Sequence, residues 1–188
     1  MPTSSEVIQV IANGVIEQLQ KMLKNGVKSP QTHQIDCSDL ADYSAVDIRK
    51  SERFQKLFDE LVKVKGPALY WFELVSDHGA AAIISALEDY KQTAEPRATP
   101  ALRNTQTSTS RILYVGKVKK NLWGRLIQHL GFYKVPATQG LQLFHWAKSP
   151  GLSLNFNYIE FGDEMADIMP LMEYAFAKHY HPLVGKHF

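Results

Sequence analysis

Six polar side chains between residues 70 and 173 have the types that cleavage of a phosphodiester requires. They are Tyr70, Tyr114, Lys117, Arg125, His129 and Glu173. Such a reaction needs an activated water, neutralisation of the phosphate charge and support for the leaving oxygen. A carboxylate is a suitable Mg²⁺ ligand, and the forked donors of arginine match phosphate oxygens. We interpret the set as the candidate site of a metal-assisted hydrolysis, with Glu173 as the metal ligand.

Arg125 and His129 are four residues apart and therefore share one side of a predicted helix. The apolar residues of that helix form an arc, and both polar residues border it. We therefore expect the pair at the rim of a cleft; the alternative is an ordinary solvated helix face. The residues three and four positions from Glu173 on its predicted helix are of types that do not pair with a carboxylate. The alternative interpretation of Glu173 is a partly exposed side chain that leans into solvent.

The two tyrosines need a neighbouring cation to act as bases. Ionising a phenol with a pKa near 10 costs roughly 4 kcal/mol at pH 7, and nearby positive charge reduces that cost. Lys117 is the obvious local cation for Tyr114, but it reaches that phenol only if the strand ends or bends at Gly116. We favour Tyr70 as general base and Tyr114 as the group that positions water or phosphate, although the order is reversible. Ordinary core packing is the alternative for both.

Hydrophobic periodicity predicts the elements that position these residues. We expect strands at 68–75, 111–117 and 152–161, and helices at 5–24, 51–63, 80–90, 121–131, 138–147 and 163–180, the last restarted at Pro170. Residues 28–43 and 95–110 are interpreted as loops. The three tryptophans are interpreted as core residues. This order of elements predicts an α+β fold.

Composition is that of an ordinary globular domain. The chain has 188 residues, a net charge of +2 and 45% hydrophobic residues, so any nucleic-acid surface must be a local patch. A single cysteine, Cys37, excludes a disulfide framework and a multi-cysteine zinc site. We find no secretory signal pattern and no apolar run of roughly 20 residues. We therefore expect a cytoplasmic protein without a membrane span.

The string Leu113-Tyr114-Val115-Gly116-Lys117, followed by Asn121-Leu122 and Arg125, resembles the second motif of the GIY-YIG nuclease superfamily. Tyr70, within Ala-Leu-Tyr, resembles the tyrosine of the first motif. Arg125 and His129 resemble an arginine and histidine that several members have four residues apart, and Glu173 resembles the metal-binding glutamate on the family's last helix. The resemblance covers residues 67–188. It implies a small three-stranded sheet flanked by helices, preceded by a helical region at 1–66, with an inserted helix and loop at 76–110.

The resemblance also implies a function. It suggests an endonuclease that hydrolyses DNA with Mg²⁺ or another divalent ion such as Mn²⁺, and the size of the chain is similar to that of small restriction enzymes in the family. Cutting both strands would favour a homodimer, with the helix at 5–24 and the loop at 93–110 as candidate contacts. Two departures, Ala68 for the usual glycine and Gly185 for the usual asparagine, favour the alternative of an inactive module that binds nucleic acid or a protein.

Overall fold

The computed structural model describes residues 3–42, 44–103 and 109–186. Its regular elements, in chain order, are α1 (Ser4–Asn25), β1 (Gln31–Asp36), α2 (Gln55–Leu61), β2 (Ala68–Leu74), α3 (Ala80–Lys91), β3 (Ile112–Val118), α4 (Leu122–Leu130), α5 (Leu143–Trp146), β4 (Ser153–Glu160) and α6 (Met169–Tyr180). Short 3-10 turns lie at Cys37–Asp39, Ile48–Lys50 and Asp163–Met165. The α+β prediction is confirmed.

The sheet has four antiparallel strands rather than the expected three. Its order is β1-β4-β2-β3, and the additional strand, β1, lies in a segment interpreted above as loop. β1 pairs along its whole length with β4, from Gln31 opposite Tyr158 to Asp36 opposite Ser153. Its sequence is almost entirely polar and only Ile35 is fully buried, so no apolar alternation was present to indicate a strand.

Several helices differ from their predicted bounds. α2 spans only Gln55–Leu61 of the expected 51–63. α1 begins at Ser4, because Thr3 caps it and exchanges the two hydrogen bonds of a capping box with Glu6. The helix expected at 138–147 is reduced to the single turn of α5, because Gln142 before it adopts a left-handed conformation with φ of 57°. A 3-10 turn at Asp163–Met165 precedes α6, which has proline in its first turn as expected.

Two apolar layers cover the two faces of the sheet. One face presents Tyr70, Phe72 and Phe156 to a large core that includes buried residues of α2 and α4. The other face presents Leu69 and Val115 to a smaller core formed with α6 and the second half of α1. Helix α4 and helix α6, which hold the remaining candidate residues, therefore lie on opposite sides of the sheet.

The N-terminal segment contributes directly to the sheet, because β1 pairs with β4. The domain boundary near residue 66 stays a prediction, and residues 104–108 of the expected 95–110 loop lie outside the described residues. Within the described ranges, no helix is both long enough and apolar enough to cross a membrane.

Candidate functional site

Tyr70 and Tyr114 lie on adjacent strands, although 44 residues separate them in sequence. In the β2–β3 pairing, Tyr70 is opposite Gly116 and Phe72 is opposite Tyr114. The two phenol rings lie on the same sheet face with their centroids 6.2 Å apart. The two tyrosines are therefore neighbours on paired strands, and the long insertion between their strands does not prevent pairing.

Gly116 makes room for this arrangement. A Cβ atom at that position would collide with the hydroxyl oxygen and Cζ of Tyr70 and would lie 2.8 Å from Cε1 of Tyr114. The phenol of Tyr70 therefore extends across β3, which is the outermost strand on this side of the sheet. Glycine is required here for close approach and not for an unusual backbone angle.

Arg125 of α4 is hydrogen-bonded into the phenol pair. Its Nε donates to the Tyr70 hydroxyl oxygen at 3.0 Å, and its Nη1 donates to Gln128 Oε1 at 2.5 Å and to the Gln139 carbonyl at 3.0 Å. The guanidinium also interacts with the Tyr114 hydroxyl. Arg125 is half-buried, so it lies at the boundary between this core and solvent, as expected for a cleft rim.

His129 does not lie at a rim, which corrects the expectation for this residue. Its side chain is fully buried, because α5 and the segment before it cover this face of α4. Its Nδ1 accepts the Leu141 backbone N–H at 3.1 Å, so the ring proton of the neutral form belongs to Nε2, which donates to the Tyr70 hydroxyl oxygen at 2.9 Å. Burial, followed by the charge of Arg125, lowers the pKa of His129 well below its usual value. His129 is therefore a neutral group that holds Tyr70 in place.

Both phenols are neutral at pH 7. Burial raises the pKa of Tyr70 well above 10, and the nearby Tyr114 adds to this effect, while Arg125 opposes it. Burial also raises the pKa of Tyr114, again opposed by Arg125. Removing a proton from either phenol is therefore harder in the folded chain than in water.

Lys117 is not placed beside Tyr114. β3 continues through Gly116 to Val118 without ending or bending away, and Lys117 pairs with Leu69, whose side chain belongs to the opposite face. Strand alternation therefore directs Lys117 away from the phenols. The cation beside them is Arg125, which corrects the sequence-based choice of Lys117.

Glu173 lies on α6, whose body packs against the sheet face opposite the phenols. The ring of Phe176, one helical turn further along, contacts Trp71 on that face with centroids 5.0 Å apart. The carboxylate of Glu173 nevertheless acts on the phenols, since its negative charge contributes to the raised pKa values of both Tyr70 and Tyr114. Glu173 is half-buried, β3 is the outermost strand on this side of the sheet, and Gly116 has no side chain.

The donors present are compatible with one hard divalent ion. Mg²⁺ usually keeps several waters and uses one or two carboxylates together with substrate phosphate oxygens. Glu173 supplies one such carboxylate, and its charge contributes to the raised pKa values of both phenols. In residues 3–42, 44–103 and 109–186, no group of three or more His, Cys, Asp and Glu side chains is arranged as a larger metal cage.

Two members of this network were not identified from the sequence. Gln128 and the Gln139 carbonyl both accept from Arg125, and they fix the direction of its guanidinium. Gln128 is three residues after Arg125, a spacing at which helical side chains meet, so it was identifiable. The Gln139 carbonyl comes from an irregular segment, whose path local sequence patterns do not specify.

Comparisons of the chain with protein-family models, with curated proteins and with solved structures gave no match in any of the three.

Proposed function

We propose that the chain is a GIY-YIG-like endonuclease that hydrolyses phosphodiester bonds in DNA with the help of Mg²⁺ or Mn²⁺. The observation that supports this most is the convergence of Tyr70, Tyr114 and Arg125 on one sheet face, within reach of the charge of Glu173. These four residues come from four separate elements. A purely structural hydrogen-bond network would not require a carboxylate whose charge acts on the phenols.

Arg125 is the residue that binds phosphate in this proposal. Its planar guanidinium has five N–H donors, and three contacts to Tyr70, Gln128 and Gln139 already orient it. A scissile phosphate would take the place of one of these neutral acceptors, because a charged oxygen forms the stronger hydrogen bond. The remaining contacts would keep the guanidinium in position during the reaction.

The tyrosines have different roles. Tyr114 keeps the positioning role that we favoured from sequence, whereas Tyr70 holds Arg125 and does not act as the general base. The Tyr70 oxygen already accepts from both Arg125 and His129, so it has little capacity to accept a proton from water. Tyr114 is 9% exposed whereas Tyr70 is 1% exposed, so Tyr114 is the phenol that contacts water or phosphate. Because its pKa is raised, Tyr114 positions that oxygen as a neutral hydrogen-bonding group, and Tyr70 holds Arg125.

A divalent ion held by Glu173 would lower the pKa of a bound water and neutralise charge at the phosphate. Glu173 would supply a carboxylate oxygen to that ion, and the neutral phenols would order the surrounding water. A restriction-type role, a homodimer and DNA as the nucleic acid remain parts of the proposal, supported by the sequence resemblance alone.

One observation favours a second candidate, an inactive module of the same fold. The Arg125 donors are used within the protein, and both Tyr70 and His129 are fully buried. A network of this kind also stabilises a core without any substrate. Gly185, which has a φ of 123° and is buried, stands where the family has asparagine, so that amide is not available for catalysis.

The variant Glu173→Gln distinguishes the two candidates. It is almost the same shape as the parent but lacks the charge that holds the ion, so we expect cleavage of supercoiled plasmid to be lost while DNA binding in EDTA is retained. Glu164→Gln is the matched control, since Glu164 lies in a 3-10 turn outside the cluster. Cleavage by Glu173→Gln at the wild-type rate would contradict the assignment of the metal ligand.

A further inference from the structure

A cavity of about 550 Å³ lies at the N-terminal end of α4, outside the cluster of phenols. Its polar and aromatic lining comprises Lys28, Lys65, Lys120, Asn121, Trp123, Glu160 and Asp163, and Val62, Val64 and Phe161 add apolar surface. A volume of this size is in the range of small-ligand sites, which span roughly 300–1,000 Å³. The lining combines one flat aromatic ring with several cations, which is the combination that binds a nucleotide.

Positive charge exceeds negative charge in this cavity. Glu160 is already neutralised, because it accepts from Lys28 Nζ at 3.0 Å and from the backbone N–H groups of Lys65 and Gly66 at 2.9 and 3.0 Å. Among the described residues, Lys65 and Lys120 form no side-chain ion pair, and both are exposed. Asp163 is the remaining carboxylate, so the two lysines leave a net positive lining that suits a phosphate.

Trp123 is held in place rather than buried. Its indole is partly buried and packs against the larger core, and the Arg49 guanidinium lies 5.8 Å from its ring centroid. Arg49 is itself bound to Asp47 through two hydrogen bonds. A fixed aromatic ring beside cations is the arrangement on which single-stranded bases stack.

The cavity lies close to Arg125 along the direction of α4. Asn121, which lines the cavity, is the N-cap of α4, and Arg125 follows it by four residues, which corresponds to a rise of about 6 Å. A strand whose phosphate lies at Arg125 would therefore have a neighbouring nucleotide close to the cavity. Trp123 of the cavity lining and Arg125 are both on α4, so the helix fixes the spacing of their backbone positions.

We propose that this cavity binds one unpaired nucleotide of the substrate strand, with its base against Trp123 and its phosphate between Lys65 and Lys120. The proposal deepens the nuclease function above and rests on it for the identity of the strand. Binding of the nucleotide does not require the metal or the phenols, so it is measurable when cleavage is absent.

The test is the affinity of the full chain for a short fluorescent single-stranded DNA in EDTA, measured by anisotropy over a series of salt concentrations. We expect Trp123→Ala to weaken binding by about fivefold or more without changing the salt dependence, because stacking is lost and no phosphate contact is removed. We expect Trp123→Phe, which keeps a ring, to recover most of the affinity.

Lys120→Ala should act differently, since it removes a phosphate contact. The slope of log K against log salt should decrease by about 0.7. Lys119→Ala is the matched control, because the neighbouring Lys119 is bound to Asp167 at 2.8 Å and does not line the cavity; its slope should stay at the wild-type value. The proposal would be overturned by any of three results. The first is wild-type affinity in folded Trp123→Ala, the second is an equal salt slope for the two lysine variants, and the third is no binding of the DNA by the wild type. If these binding results are obtained but the wild type does not cleave plasmid, only the nuclease function is overturned.

Discussion

Replacement of Tyr70 by phenylalanine tests the hydrogen-bond network most sharply. Tyr70 is 1% exposed, and its oxygen accepts from Arg125 Nε at 3.0 Å and from His129 Nε2 at 2.9 Å. Tyr70→Phe keeps the ring and removes the acceptor of the fully buried His129 Nε2 and of the half-buried Arg125 Nε. A buried unsatisfied donor costs about 1–3 kcal/mol, and the hydrogen bond lost by the half-buried donor adds about 1 kcal/mol. We therefore expect a loss of about 2–4 kcal/mol in the free energy of unfolding.

For a chain of this length, 1 kcal/mol corresponds to a Tm change of about 2–4 °C. Thermal unfolding followed by circular dichroism should therefore show Tyr70→Phe melting about 4–16 °C below the wild type. The control is Tyr174→Phe, since Tyr174 is 42% exposed on α6 and belongs to no part of the cluster; its Tm should stay within about 2 °C of the wild type. Equal Tm values for Tyr70→Phe and the wild type would refute the network, and with it the inference that His129 holds Tyr70.

Three further outcomes follow from the same geometry. Gly116→Ala should destabilise the fold by about 1–3 kcal/mol in urea unfolding, because the added methyl collides with the phenol of Tyr70. Gly124→Ala, within α4, is the control: its methyl has no close neighbour, so the change should be stabilising. Equal effects of the two changes would contradict the position of the Tyr70 phenol. His129 has a lowered pKa when folded, so its contribution to stability is complete above pH 6.5 and declines at lower pH, by up to about 1.4 kcal/mol per pH unit. In His129→Gln, the free energy of unfolding should therefore fall less steeply with decreasing pH than it does in the wild type or in the control variant His179→Gln. If the pH dependence of His129→Gln equals that of the wild type, His129 is not buried as a neutral ring. Arg125→Lys should slow plasmid cleavage by at least about tenfold, equivalent to roughly 1.4 kcal/mol of transition-state stabilisation, and wild-type kinetics would remove Arg125 from the site.

Local hydrophobic patterns in the sequence predicted the strands that carry the two tyrosines. β2 is aromatic-rich and β3 is apolar, so both segments were predicted as strands from sequence. The alternation of β3 already directed Lys117 to the other face, and only the assumption of a bend at Gly116 brought it to Tyr114. The bend is absent because Val118 still pairs with Ala68.

Burial of His129 was not predictable, because it depends on a segment without periodicity. Residues 139–146 fold over α4 through the left-handed Gln142 and the single turn of α5, and they bring the Leu141 N–H to His129. The polar strand β1 was missed for a related reason, since its pairing with β4 and not its own hydrophobicity places it in the sheet. Both failures concern contacts that are distant in sequence.

The measurement that tests the nuclease proposal most directly is nicking of supercoiled plasmid by the purified wild-type chain, with Mg²⁺ and with EDTA. We expect the wild type to convert the plasmid to open-circular or linear DNA with Mg²⁺ and not with EDTA. A preparation of Glu173→Gln, purified by the same route, excludes contaminating nucleases and should leave the plasmid supercoiled. If the wild type binds DNA but leaves the plasmid supercoiled in both Mg²⁺ and Mn²⁺, the result contradicts the nuclease proposal and favours the inactive module.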